Sequence, residues 1–206
     1  MRAPFITFEG GEAAGKSTQI ARLAERLRAA GQEVLVTREP GGTSGAEAIR
    51  ALMLDPATSL SPLADTLLVF AARADHAQRL ILPALEAGRI VLCDRFIDST
   101  LAYQGFGLGV DHARIGLLAG MIGLRPDLTF ILDIEPELAS RRLAARGIAA
   151  DRYERFGPGF TARVAEGFRA IAAADPGRCA LIEADADADA IAARVASILQ
   201  DRLGLS

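Results

Sequence analysis

The sequence predicts a doubly wound α/β domain built on five parallel strands. Two observations carry this. Five short apolar runs, at 4–9, 33–38, 89–94, 128–134 and 179–183, are continuous rather than alternating, as expected of strands buried on both faces. Between them, apolar residues recur at helical spacing over 16–30, 45–54, 62–87, 99–104, 111–123, 136–147, 159–174 and 187–203. Regular alternation of the two types is the pattern of parallel strands joined by crossover helices, which place ligands at the carboxyl ends of the strands. The 206 residues suffice for one good core and are short for two, and no linker or repeat interrupts them, so a single domain over 1–206 is expected.

The first strand, Phe5-Ile6-Thr7-Phe8, leads into Gly10-Gly11-Glu12-Ala13-Ala14-Gly15-Lys16-Ser17, and Ile20, Leu23, Ala24 and Leu27 then mark a helix ending near Gly31. G-x-x-x-x-G-K-[ST] between a strand and a helix is the phosphate-binding P-loop in its proper context. Glycines let the backbone wrap an anion, and successive N–H groups form a nest for phosphate oxygens at the positive end of the helix. The residues expected to hold ATP are Gly10, Gly11, Glu12, Ala13, Ala14, Gly15, Lys16, Ser17 and Thr18, with Lys16 on the β- and γ-phosphates and Ser17 on Mg²⁺.

The second strand ends in Arg38-Glu39-Pro40-Gly41-Gly42-Thr43, which reads either as an ordinary βα turn or as a substrate-facing loop. The third closes on Asp94-Arg95-Phe96. An apolar strand ending in Asp has the geometry that holds Mg²⁺ opposite a P-loop, with Arg95 facing the same crevice, but Phe130-Ile131-Leu132-Asp133 competes for that role. On the helix at 62–87, Phe70 and Arg73 lie one turn apart, an aromatic for stacking and a guanidinium for hydrogen bonding to a base. Arg141, Arg142, Arg146, Arg152 and Arg155 crowd a segment flanked by Gly147 and Gly157-Pro158-Gly159. This suggests a glycine-hinged lid over about 141–159 whose arginines meet developing phosphoryl charge.

Other features exclude alternatives. A net charge of −3 without a basic tail argues against nucleic acid as a partner. No charged-then-apolar leader and no apolar run of ~18 residues is present, so neither secretion nor a membrane span is expected. Cys93 and Cys179, isolated in strand-like runs, read as packed, reduced thiols of a cytoplasmic protein. His76 and His112 read as surface or packing residues, and alternating Asp185, Asp187 and Asp189 as a helix start rather than a metal site.

Taken together, five pieces resemble the thymidylate kinase family and span most of the chain in the family's order. They are Phe8-Glu9-Gly10-Gly11-Glu12 through Gly15-Lys16-Ser17-Thr18-Gln19; Thr37 to Thr43; Leu68 to Arg73; Asp94-Arg95-Phe96 with Asp98-Ser99-Thr100-Leu101-Ala102-Tyr103-Gln104-Gly105; and Arg146-Gly147 with Asp151-Arg152. The resemblance implies transfer of the γ-phosphoryl group of ATP, with Mg²⁺, to thymidine 5′-monophosphate for dTTP synthesis. Analogy with P-loop kinases also implies strand order 2-3-1-4-5. Carried over residue by residue, Phe70 stacks on thymine and Arg73 hydrogen-bonds it. Ser99, Tyr103 and Gln104 complete the nucleoside pocket, Tyr103 favouring deoxyribose. Glu39, Pro40, Arg50 and Arg95 surround the sugar and acceptor phosphate, while Ser17 and Asp94 serve the metal.

The catalytic set implied is Lys16, Glu12, Arg95, Arg146 and Arg152, the last two because the P-loop itself lacks an arginine, as in the bacterial arrangement. The family also suggests a homodimer. Two departures stand out. Ala13 replaces a frequent glycine, which is tolerable where φ is negative, and Gly157-Pro158-Gly159 alters the lid. Two other readings remain: a nucleoside kinase using Glu39 as base, and a nucleotide-binding switch without turnover.

Overall fold

The computed structural model describes residues 2–146 and 152–205. Five strands form one all-parallel sheet in the order β2-β3-β1-β4-β5. They are β1 (Phe5–Gly10), β2 (Val34–Arg38), β3 (Ile90–Asp94), β4 (Leu128–Asp133) and β5 (Cys179–Glu183). The helices are α1 (Lys16–Ala29), α2 (Ser44–Leu54), α3 (Pro62–His76), α4 (Leu82–Glu86), α5 (Ile97–Thr100), α6 (His112–Ile122), α7 (Pro136–Arg146), α8 (Pro158–Ala174) and α9 (Ala188–Leu203). No helix among the described residues is long and apolar enough to cross a membrane.

The sheet is covered on both faces, which is why its strands read as unbroken apolar runs. Ile6 and Phe8 of β1 point to a core shared with Ile20, Leu23 and Leu27 of α1 and Ile191, Val195 and Leu199 of α9. On the other face, Phe5, Val91 and Cys93 meet Ile81 and Leu85, and Ile131 and Cys179 meet Phe160, Val164 and Phe168 of α8. Both cysteines are buried free thiols. Asp187 caps α9, its Oδ1 accepting from the N–H groups of Asp189 and Ala190 at 2.9 and 2.8 Å, so the aspartate-rich patch is a helix start.

Two helical segments depart from regular geometry. The pattern at 62–87 is one continuous rod, but Ala77–Ile81 forms a π-helical turn between α3 and α4. Pro83, lacking an N–H, follows it, and a widened turn accommodates such an interruption. The helix expected at 99–104 begins earlier, as α5, and opens into a π-helical stretch over Leu101–Gly107. Here Gly105 and Gly107 press on neighbours: an added Cβ would come within 2.8 Å of His112 and 2.5 Å of Phe160. Gly157 (φ 82°) and Pro158 open α8, where proline at the first helical position forgoes no hydrogen bond.

On the face of the sheet carrying Thr7 and Glu9, a band of polar groups runs between the apolar clusters. Thr7 and Thr129 share a hydrogen bond of 2.7 Å. Arg178, leading into β5, donates to both oxygens of buried Asp98 at 2.6 and 2.9 Å, and to Thr129 Oγ1 at 2.7 Å. This pair clamps α5 to β4 and β5. Arg178→Ala would leave the Asp98 carboxylate buried without a cation and is expected to cost about 3 kcal/mol of stability, read by urea unfolding. A loss under about 0.5 kcal/mol would show the clamp to be dispensable.

Candidate active site

Three parallel strands deliver their last residues to one edge of the sheet. β1 runs into the P-loop, β2 into the Glu39-Pro40-Gly41-Gly42 turn, and β3 into Arg95. Between them lies a cleft of about 240 Å³, walled by the loop from Glu12 to Thr18 and by Glu39, Pro40, Arg50, Arg73, Asp94, Arg95, Ser99, Tyr103 and Gln104. Many, though not all, of the residues expected at the nucleotide site line this one cleft.

At the P-loop end, Gly15 adopts φ 92° and α1 has no side-chain cap, so its first N–H groups are available to an anion. Lys16 Nζ folds back on the carbonyls of Gly10 (3.2 Å) and Gly11 (2.8 Å). Burial, and then the nearby Arg95 cation, pull its pKa down to about 8, so phosphate oxygens would suit it better than carbonyls do. Ala13 has φ +57°, the left-handed region, so the condition under which its methyl was expected to fit is not met and the loop holds an alanine in a glycine-like conformation.

The two strand-end aspartates differ in their partners. Asp133 accepts from Arg169 Nε at 2.7 Å. Asp94 Oδ2 accepts from Ser17 Oγ at 3.3 Å, while its buried Oδ1 has no partner among the described residues. Two hard oxygen donors side by side, one of them unsatisfied, fit a hydrated Mg²⁺.

Arg95 is held in a left-handed conformation (φ 69°). Its guanidinium donates to Gly10 O (3.0 Å), to Ser99 Oγ (3.2 Å) and to Glu12, and lies 5.0 Å from the Tyr103 ring centroid. Tyr103 in turn donates to Glu12 at 3.2 Å. Behind Arg95 sits Glu9, 0% exposed, accepting from Phe96 N–H (2.7 Å) and Ser99 Oγ (2.5 Å). Burial, reinforced by the Asp98 charge, raises the Glu9 pKa to about 7.

At the far end, Arg73 Cζ lies 4.9 Å from the ring centroids of both Phe70 and Phe96. Its Nε donates to Glu39 Oε2 (2.7 Å) and its Nη2 to Thr100 Oγ1 (3.0 Å), while its buried Nη1 has no partner among the described residues. Glu39 Oε1 meets His76 Nδ1 at 3.0 Å. With both oxygens engaged, Glu39 is poorly placed to act as a general base, which disfavours the nucleoside-kinase reading. Arg50 donates to the carbonyl of Pro40 at 2.9 Å.

Several residues are placed otherwise than the sequence suggested. Phe70 does not line the cleft. It packs behind Arg73 with Val110 and Ile115, and the apolar wall is made by Met53, Leu54 and Val69. Arg152 does not face the phosphates: it is buried, paired with Asp65 of α3 and donating to Met53 O at 2.8 Å. Arg146 ends α7, and its side chain, like the stretch 147–151, lies outside the described residues. Arg142 instead reaches the P-loop, donating to Ala13 O at 3.3 Å. Of the two readings open for His76, surface or packing, it takes the second: it is fully buried, in a polar chain.

Sequence reading missed Glu9, Asp65, Thr100, His76 and Tyr153. Asp65 gathers Arg152, Gln104 Nε2 (2.8 Å) and Tyr153 OH (2.9 Å) above the cleft. The available signal was a carboxylate inside an otherwise apolar strand, for Glu9, and on the buried side of an amphipathic helix, for Asp65.

A sequence model of the family described as thymidylate kinase matches residues 8–195. The chain is 51% identical over 204 residues to a thymidylate kinase of Caulobacter vibrioides, covering 98% of both chains. It is 53% identical to one of Nitrobacter winogradskyi, covering 98% of this chain and 90% of that protein. The crystal structure of thymidylate kinase from Ehrlichia chaffeensis superposes with a TM-score of 0.79 at 37% identity, over 97% of this chain and 99% of the other.

The ionised Glu9 costs stability. Its native pKa lies above its unfolded value, so the native state binds the extra proton between about pH 4.5 and 7, and stability falls as pH rises through that window. Glu9→Gln is expected to gain on the wild type by up to about 1.4 kcal/mol per pH unit across it. Denaturant unfolding from about pH 5 to pH 8 checks this; a difference that does not change with pH would remove the argument.

Proposed function

The chain belongs to the thymidylate kinase family and transfers the γ-phosphoryl group of ATP to thymidine 5′-monophosphate; on that premise we propose how its own residues do so. The observation that carries the assignment of roles is the pair of unsatisfied buried atoms at opposite ends of one cleft: a carboxylate oxygen of Asp94 beside the P-loop and a guanidinium N–H group of Arg73 at the far wall. One asks for a cation, the other for a carbonyl of a flat base.

Lys16 leaves the Gly10 and Gly11 carbonyls for the β- and γ-phosphates, and the N–H groups of Gly11 to Thr18 wrap them. Mg²⁺, held by Ser17 and Asp94, would supply the charge that bridges and neutralises the donor phosphates. Arg95, fixed by Gly10 O and Glu12, aims the acceptor phosphate in line with the donor. Arg73 Nη1 reads the thymine edge, Ser99 and Gln104 flank the nucleoside, and Tyr103 closes the space a 2′-hydroxyl would need. No general base is required, because a phosphate monoester is largely dianionic at neutral pH. Arg142 is the lid arginine that meets the P-loop, and Arg152 anchors the lid to α3. The arginine network and separate base wall argue against a switch without turnover.

A second copy of the chain is proposed to cover the face formed by packed helices α3 and α6. Leu63 and Leu67 are exposed there beside Leu117 (73%) and Met121 (82%), a large apolar area for a monomer to leave in water.

Two measurements test these assignments. Release of ADP from ATP·Mg²⁺ is expected with thymidine monophosphate and not with free thymidine, and Lys16→Ala should lower kcat by about 10²–10³. Turnover of free thymidine, or near-normal turnover by the variant, would overturn the roles given to Glu39 and Lys16. In light scattering, the wild type is expected at twice the mass of Met121→Asp; a wild-type monomer at micromolar concentration would exclude the dimer.

A further inference from the structure

We propose that His76 is a positioning residue for choice of the acceptor base, acting through Glu39 on Arg73 at the cleft wall. The inference rests on the reading of Arg73 as the group that contacts the base. Arg73 and His76 lie one turn apart on α3, so they share a face. His76 Nε2 is 2.7 Å from Thr37 Oγ1 of β2, and Nδ1 is 3.0 Å from Glu39 Oε1. A continuous chain thus runs from Thr37 through His76, Glu39 and Arg73 to Thr100, all buried except Thr37.

Its geometry assigns His76 more than packing. Arg73 grips Glu39 through Nε alone, and a single N–H···O contact leaves the carboxylate free to turn about its terminal bond. The second oxygen is fixed by His76. With Glu39 fixed, Thr100 on Nη2 and the Phe70 and Phe96 rings, each 4.9 Å from Cζ, hold the guanidinium in one orientation at the cleft wall, with Nη1 left without a partner among the described residues.

A second, independent feature points the same way. At Gly42, φ +86°, an added Cβ would come within 2.5 Å of His76 Nε2, 2.6 Å of its Cδ2 and 2.7 Å of Thr37 Oγ1. The second glycine of the Pro40-Gly41-Gly42 turn therefore presses bare backbone against the imidazole, sealing it in place. That turn borders the cleft, so its glycine serves the relay as well as the bend.

The test separates the two contacts of the ring. The amide nitrogen of Asn falls near the Nδ1 position and that of Gln near Nε2, so His76→Asn keeps a donor to Glu39 whereas His76→Gln keeps only the contact to Thr37. Acceptors are thymidine monophosphate and 5-methyl-2′-deoxycytidine monophosphate, which differ along one ring edge, a carbonyl and N–H in the first against an amino group and a bare ring nitrogen in the second. His76→Gln is expected to raise the thymidine monophosphate KM about tenfold and to lower discrimination between the two acceptors about tenfold, with kcat and the KM for ATP within about threefold of wild type. His76→Asn should stay within about threefold of wild type throughout.

Unchanged KM and discrimination in His76→Gln would overturn the inference, as would equal losses in both variants that track their thermal stability. Should His76→Gln fail to fold, the wild type decides: the buried imidazole N–H resonance is expected to shift on saturation with thymidine monophosphate and not with an ATP analogue, and a resonance indifferent to the acceptor would overturn the inference. Absence of wild-type turnover of thymidine monophosphate would instead bring down the acceptor reading itself, and this inference with it.

Discussion

The buried carboxylate of Glu9 ties the end of the central strand to the exit of its neighbour, and the rest of the site hangs on that tie. By accepting from Phe96 N–H and Ser99 Oγ, it caps α5 from below and fixes the turn in which Arg95 is left-handed. That turn aims Arg95 across the P-loop at Gly10 O and Glu12, which in turn receives Tyr103. A carboxylate in this position would be prohibitive in an apolar core. It is tolerated because two donors meet it and because Asp98, close by, is itself matched by Arg178. A polar band therefore runs between two apolar clusters on this face of the sheet, and the edge that bears the cleft is built on it.

The same rule governs the acceptor end. The Arg73 and Arg152 cations are buried, and each has its own carboxylate, Glu39 and Asp65. Charges without partners would be neutralised or expelled, so the cleft is a set of closed pairs from which a few groups are left over. Asp94 Oδ1 and Arg73 Nη1 are those remainders. Preorganisation of this kind costs stability in the empty protein and places fixed dipoles where substrate charge and polarity will sit.

The fold was legible because its signals are local. Continuous apolar strands, helical periodicity and the glycine spacing of the P-loop each lie within a few residues of one another. The pairs that define the site are not local: Glu9 meets Phe96 across 87 positions, and Asp65 meets Arg152 across another 87. A lone Asp in the first turn of a helix reads as a favourable dipole partner, and a lone His on an amphipathic helix reads as packing. Only the juxtaposition of elements gives them other work. The spacing of Phe70 and Arg73 correctly placed them together, but one turn of separation cannot say which of the two faces the cleft, and it is Arg73. In the arginine-rich lid, composition announced a role for guanidinium groups without saying which would be captured by a carboxylate on the way, as Arg152 is.

Helix α3 shows where this leads. Asp65, Val69, Arg73 and His76 fall on one narrow stripe, and all are buried. A helix normally docks by an apolar stripe, whose hold carries a large heat capacity and weakens on cooling. Three of the four groups here are ionisable, and the desolvation penalty of ion pairs falls as temperature rises. The acceptor wall and the sheet core thus answer to temperature by different laws. On warming, the apolar hold around α1 and α9 levels off while the penalty on the ion pairs that hold α3 eases, so the thermal response of this wall is set in part by ions and not by oil alone.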